Sequence, residues 1–246
     1  MKIYFLGTNG WYDTDTGNTV CVLIETKSRY VIFDAGNGLY KIDKYIRKDK
    51  PICILLSHFH IDHIAGFHVM NKFWFRQGID VYGPTGLKLL FKRVINKPYT
   101  IPISKVKTKV RLHEIINKDS LPPGIECRPL KHSVPCFGYR VSLDNKIISY
   151  CTDTGICKNL FYLAKKSDLF ITECSYKPGQ ISEAWPHLNP ESAAKAAAKA
   201  EAKMMALIHF DASLYLSLKE RAEAARVSRK IFKNTFACYD NMKIEL

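Results

Sequence analysis

The sequence predicts an α/β (α+β) fold in which two mixed sheets pack together with helices on their outer faces. Three observations carry this. Short apolar runs alternate with amphipathic segments along the chain, and in each half strands lead and helices follow. The 246 residues, 47% hydrophobic and 12% aromatic, contain no linker, repeat or low-complexity tract, so residues 1–246 read as a single domain. Several of the apolar runs also end in a polar side chain, as happens where a sheet aims groups from its edge.

Taken in order, residues 3–6, 19–25 and 30–34 read as strands, with a polar loop at 7–18. Residues 34–38 make a sharp Asp-Ala-Gly-Asn-Gly turn, and 39–47 form an amphipathic helix with Tyr40, Ile42, Tyr45 and Ile46 on one side. Residues 51–56 lack any polar side chain and read as a buried strand. A helix over 64–75, a strand at 80–82 and a helix over 87–95 follow. Strands at 126–130, 139–143 and 147–151 come next, the last two joined at Asp144-Asn145 by a hairpin signal. A helix over 156–166, a strand at 169–172, an Ala-rich helix over 191–203, a strand at 204–208 and a helix over 217–232 complete the pattern, with short strands at 235–238 and 242–245.

No run of about 18 apolar residues occurs, so no membrane span is expected. Residues 1–6 are too short and too soon ended by Gly7 for a signal peptide, which points to the cytoplasm. The eight cysteines are scattered without a Cys-x-x-Cys pair and read as buried free thiols. A net charge of +14 favours a polyanionic partner, most simply nucleic acid. Basic residues crowd 88–118, where Glu114 is the one acid, and Lys105, Lys107, Lys109 and Arg111 are spaced to share one face of a strand. That stripe reads either as an edge strand guarded by lysines or as a surface tracking phosphates.

The densest signal is Ser57-His58-Phe59-His60-Ile61-Asp62-His63, directly after the buried strand at 51–56. His58 and His60, two apart in an extended segment, project to one side, while Asp62 and His63 follow after a turn, at or just before a helix N-terminus. Imidazole and carboxylate are zinc-type ligands, and so tight a group suggests two ions rather than one. A dinuclear site needs further donors. His132, Asp153 and His209 each follow an apolar run and supply the right number and kind. His68 and His113 read as structural or surface histidines. Tyr215 and the row Lys195, Lys199 and Lys203 read as a solvated face.

On these residues the chain resembles the metallo-β-lactamase superfamily, whose His-x-His-x-Asp-His signature stands here at residues 58–63. Phe5-Leu6-Gly7-Thr8 and Phe33-Asp34-Ala35-Gly36 extend the likeness over the chain. It implies a four-layer αββα sandwich with the metals at the sheet edges. It further implies that His58, His60 and His132 bind one zinc, that Asp62, His63 and His209 bind the other, and that Asp153 bridges. Asp34 would orient the metal loop. The cofactors implied are two Zn2+ ions, with other divalent metals such as Mn2+ compatible with the donors.

Within the superfamily, residues 129–140 and the pairing of Glu173 with His187 resemble ribonuclease Z, the tRNA 3′-end processing enzyme. The resemblance makes Asp62, Glu173 and His187 the catalytic residues. His187, oriented by Glu173, would be the general acid, and Asp62 would help orient the nucleophile. Ser133, Lys105, Lys107 and Lys109 are the candidate substrate contacts. The partners implied are RNA (a tRNA precursor) or a small phosphodiester, with no membrane association and with homodimerisation. Two departures stand out. His187-Leu188-Asn189 replaces the family's His followed by Ser and Thr. The projecting tRNA-clasping arm of ribonuclease Z has no room between His132 and Asp153. The alternative is therefore a small-molecule phosphodiesterase of nucleotide or cyclic-phosphate substrates. A flavin-linked diiron oxidoreductase is disfavoured because His60 stands where that group has a Glu, and a non-catalytic RNA-binding role because every ligand is present.

Overall fold

A computed structural model describes residues 1–117 and 120–246. The chain runs through β1 (Lys2–Gly7), β2 (Asn9–Gly10), β3 (Cys21–Glu25), β4 (Tyr30–Phe33) and, after a 3-10 helix, β5 (Ile52–Leu55). A single α-helical turn, α1 (Ile61–Ile64), leads into a second 3-10 helix. Then come β6 (Ile79–Gly83), α2 (Leu87–Arg93), β7 (Val110–Glu114), β8 (Ile125–Pro129), β9 (Phe137–Leu143) and β10 (Lys146–Cys151). The remainder is α3 (Lys158–Ala164), β11 (Leu169–Glu173), α4 (Pro190–Lys199), β12 (Met205–Ile208), β13 (Phe210–Asp211), α5 (Leu218–Arg229), β14 (Thr235–Ala237) and β15 (Met242–Glu245).

These strands form two mixed sheets, in the order β15-β1-β3-β4-β5-β6-β7 and β14-β12-β11-β10-β9-β8. Side chains of successive strand residues point to opposite faces. Ile3, Phe5, Val22, Val31 and Phe33 therefore pack between the sheets, against Tyr139, Ile148, Tyr150, Ile171 and Ile208. Tyr4, Leu6, Leu23 and Ile32 point the other way, onto Leu39, Ile42, Phe67 and Phe91. On the far side, Phe170, Leu207 and Cys151 meet Leu160, Leu163 and the small alanines of α4. Three apolar layers separate four structural ones, which is the expected αββα sandwich. The Phe33 and Tyr150 rings stack across the central layer at 4.4 Å.

Parallel pairing positions the chemistry. β4, β5, β6 and β7 run parallel in one sheet, as do β10, β11, β12 and β14 in the other. The loops leaving their C-terminal ends are the region where open parallel sheets hold ligands. The two-stranded bridge β2–β13 ties the two halves together there, pairing Asn9 with Phe210 and Gly10 with Asp211.

The structure corrects three expectations. The segments at 39–47 and 64–75 are largely 3-10 helix, over Asn37–Lys44 and Ala65–Lys72, rather than α-helix. Lys105, Lys107 and Lys109 do not share a strand face. Lys105 ends a 3-10 turn, Ile103–Lys105, and pairing to β6 begins only at Val110. The reason is local: Thr108 is buried and its hydroxyl bonds Phe73 O and Phe75 N, anchoring this stretch as a loop. β7 is nevertheless an edge strand, and Lys118 lies outside the described residues. Finally, Tyr215 is buried rather than solvated, because its hydroxyl donates to Tyr176 O at 2.7 Å and its ring packs on Phe210. His68 is exposed and His113 pairs with Asp80, as surface and structural histidines should. The cysteines are free, most of them buried. No helix among the described residues is long and apolar enough to cross a membrane.

Candidate metal centre

The loop after β5 is held by the end of β4. Asp34 Oδ1 accepts hydrogen bonds from Ser57 N at 2.7 Å and from Ser57 Oγ at 2.9 Å. Ala35 N donates to His63 O at 2.8 Å. Between these anchors His60 caps α1 in an extended conformation, so Asp62 and His63 fall in its first turn, as the sequence suggested. The His58 and His60 rings lie 4.4 Å apart, brought together by their two-residue spacing.

Two donor groups form around this loop. One is His58, His60, His132 and Asp153; the other is Asp62, His63 and His209. In the first, His132 Nε2 lies 3.3 Å from His60 Nδ1. In the second, His63 Nε2 lies 3.1 Å from His209 Nε2 and 3.5 Å from Asp62 Oδ2. Asp153 reaches both groups. Its Oδ1 is 3.3 Å from His63 Nε2 and 3.1 Å from His209 Nε2. Its Oδ2 is 3.8 Å from both His58 Nε2 and His132 Nε2. All seven residues singled out as metal ligands in the sequence thus converge.

Divalent ions fit this arrangement. Donors around a tetrahedral ion with bonds of about 2.0–2.1 Å stand roughly 3.3 Å apart, much like the spacings here. His58 Nε2 is buried and has no hydrogen-bond partner, although Ser57 Oγ holds its Nδ1 at 3.0 Å. A buried orphan of this kind is costly unless an ion meets it. Burial holds the pKa of His58 well below the ordinary value and that of His132 down at about 4, leaving both rings neutral and able to ligate. Burial also opposes the cation at His63 and His209. There the carboxylates, Asp153 foremost, outweigh it and raise both pKa values. The carboxylates thus favour positive charge in the cleft, and its imidazole and carboxylate donors suit zinc and other divalent ions.

Strand ends aim these groups through unusual backbone. Asp34, Asp153 and His209 all adopt φ between 50° and 55°, a left-handed conformation that non-glycine residues rarely hold. Each stands one or two places past its strand. Apart from Asp34, the groups that support the ligands carry no signal in the sequence. Asp34 Oδ2 accepts from His63 Nδ1 at 2.9 Å and from Tyr150 OH at 2.6 Å, so the expected orienting role of Asp34 has a counterpart in hydrogen bonds. Ser175 Oγ meets His209 Nδ1 at 3.1 Å, and Trp11 N donates to Asp62 Oδ2 at 2.8 Å. Gly10 is required by close approach, since a Cβ there would stand 2.5 Å from the His209 ring. Because such supports set ring orientation and ligand basicity, Asp34→Asn should weaken zinc binding roughly 10–100-fold. Competition with a chromophoric chelator would measure it, and unchanged affinity would deny Asp34 the role.

Glu173 ends β11, fully buried, with both oxygens committed. Oε1 accepts from Thr154 N at 2.5 Å and Oε2 from Leu188 N at 3.2 Å. His187 Nδ1 sits 2.9 and 3.0 Å from the same two oxygens. Burial opposes charge on His187, but Glu173 prevails and its pKa is pushed up to about 9. The departure at Asn189 is structural: Asn189 caps α4, accepting from Ser192 N at 2.8 Å, while Leu188 is buried.

His187 lines a cavity of about 580 Å³ together with His60, Asp62, His132, Asp153 and His209. Trp11, Ile61, Tyr176 and Trp185 complete much of its wall. Lys105, Lys107 and Lys109 do not line it. Ser133 is exposed, with Oγ 3.5 Å from His132 Nε2, and does not line it either.

A family model described as "Beta-lactamase superfamily domain" matches residues 29–210. Ribonuclease Z of Microcystis aeruginosa is 25% identical, with all of this chain and 96% of the relative covered. Ribonuclease Z of Bacillus licheniformis is 24% identical, with 100% and 99% covered. These alignments spread over 315 and 312 positions, so the relatives carry segments with no counterpart in the 246 residues here. Among solved structures, the metallo-beta-lactamase fold protein YhfI from Bacillus subtilis superposes with a TM-score of 0.82 at 19% identity, covering 100% of this chain and 98% of that one. The short form of human tRNase Z gives 0.76 at 22%, with 100% and 99% covered. A diphosphatase from the PhnP family gives 0.73 at 17%, with 100% and 97% covered.

Proposed function

The chain belongs to the beta-lactamase superfamily, and from that premise we propose that it is a two-metal phosphodiesterase of the ribonuclease Z kind, cleaving RNA near its 3′ end. At the coarser level it is a metal-dependent hydrolase with a His/Asp metal site. The observation that carries the finer reading is the Glu173–His187 pair beside both donor groups. Phosphodiester cleavage expels an alkoxide, a poor leaving group that needs a proton.

His58, His60 and His132, together with Asp62, His63 and His209 and with Asp153 between the two groups, would hold two divalent ions, whose contribution would be a water made nucleophilic at neutral pH and neutralised phosphate charge. The chain's residues do the rest. Glu173 holds His187 at Nδ1, which fixes its tautomer and leaves Nε2 to carry a proton into the cavity. His187 then protonates the departing oxygen. Asp62, pinned through Oδ2 by the Trp11 amide, orients the attacking side. The net charge of +14 suits a polyanionic substrate.

One observation favours a second reading, a phosphodiesterase of nucleotides or cyclic phosphates. Between His132 and Asp153 lies only the hairpin of β9 and β10, where ribonuclease Z usually carries its clasping arm. Parallel assays of the zinc-loaded protein on a 3′-extended tRNA precursor and on bis(p-nitrophenyl) phosphate separate the two. An RNA enzyme should lose affinity roughly threefold per contacted phosphate between 50 and 200 mM salt. Cleavage of the small ester alone, insensitive to salt, would favour the second reading.

A further inference from the structure

We propose that Trp11 and Trp185 form an aromatic grip that stacks on a nucleobase attached to the reacting phosphate, so that the substrate carries an unpaired base next to the cleaved bond. This rests on the phosphodiesterase reading and names the chemistry that the same cavity selects.

Two of the chain's three tryptophans line this one cavity. They are 66% and 60% exposed, so each presents a large open ring face at the cavity wall. Ile61, 66% exposed, adds to the same wall. Both tryptophans are held at the backbone, leaving the rings as the presented feature. Trp11 adopts φ 74°, a costly conformation for a bulky residue, and its amide is fixed on Asp62 Oδ2. Trp185 accepts from the Tyr176 hydroxyl at 2.7 Å and donates its amide to Ser182 Oγ at 3.2 Å.

The charge pattern points the same way. The chain is strongly basic, yet among the described residues lining the cavity there is no Lys or Arg. Apart from the histidines, no side chain in this wall offers a cation to track a phosphate backbone. Recognition beside the reacting phosphate therefore falls to flat apolar faces, and stacking on an aromatic ring accepts any base while requiring that it be unpaired. A volume of about 580 Å³ is of the size that encloses one small ligand, comparable to a nucleotide and too small for a duplex end.

The test is calorimetric titration of the zinc-loaded protein with adenosine 5′-monophosphate, adenosine 3′-monophosphate and ribose 5-phosphate. At least one adenosine monophosphate should bind about tenfold tighter than ribose 5-phosphate. Trp11→Ala and Trp185→Ala should each remove most of that preference, and the phenylalanine variants should retain it. In the unmodified protein the preferred nucleotide should also quench tryptophan fluorescence, and ribose 5-phosphate should not. Equal binding of all three ligands, or a preference that survives both alanine variants, overturns the proposal. Turnover of bis(p-nitrophenyl) phosphate is scored separately. A base preference without turnover keeps the grip and sinks the phosphodiesterase reading, whereas turnover without a base preference does the reverse.

Discussion

Asp153→Ala is expected to strip the protein of both metal ions and to reduce turnover to background, with secondary structure retained. The reason is placement. Among the donors, only this carboxylate reaches both groups, Oδ1 toward His63 and His209 and Oδ2 toward His58 and His132. Burial pushes its pKa up, but the surrounding imidazoles outweigh that and hold it well below the usual carboxylate range, so it stays charged. Removing it leaves one group with three neutral rings and the other with Asp62 as its sole anionic ligand. Alanine also fits poorly at φ 50°, whereas asparagine tolerates that backbone. Asp153→Asn is therefore the cleaner test, preserving shape while deleting charge. Elemental analysis should find close to two ions per chain in the parent and close to none in either variant. Two ions retained would deny the bridge; one ion fully retained would assign Asp153 to a single half of the site.

What the sequence disclosed, and what it hid, follows from the range of the interactions. Residues 58–63 were readable because a buried strand and its following loop are contiguous, and the two-residue spacing of His58 and His60 sets their common direction. His132, Asp153 and His209 were readable because each follows an apolar run, and a strand end is where a sheet can aim a side chain. The supports were hidden. Tyr150 meets Asp34 across 116 residues and Trp11 meets Asp62 across 51, through contacts that only the tertiary fold creates. Tyr150 reads locally as another core aromatic, and Trp11 as a residue in a polar loop. The lysines at 105, 107 and 109 misled for the opposite reason. Alternation is a strand signal, but it has no force where a buried Thr108 and late pairing to β6 hold the backbone in a loop.

His187→Ala should lower kcat by roughly 10²–10⁴-fold while the metal content stays unchanged. The ring is bonded to Glu173 and lies outside both donor groups, its centroid 5.4 Å from that of His132 and 6.2 Å from that of His209. Next to a centre that gathers positive charge, an imidazolium needs a nearby anion to keep its proton, and Glu173 is that anion. The loss should depend on the leaving group. A ribose alkoxide cannot depart without a proton, whereas p-nitrophenolate can, so the variant should lose RNA or nucleotide cleavage and largely retain hydrolysis of bis(p-nitrophenyl) phosphate. Glu173→Gln is a less direct probe. Its new amide would face the Thr154 or Leu188 N–H that the carboxylate now accepts from, so destabilisation would accompany any loss of rate. An equal fall on both substrates would recast His187 as a positioning group, and a fall in bound metal would make it part of the ion site.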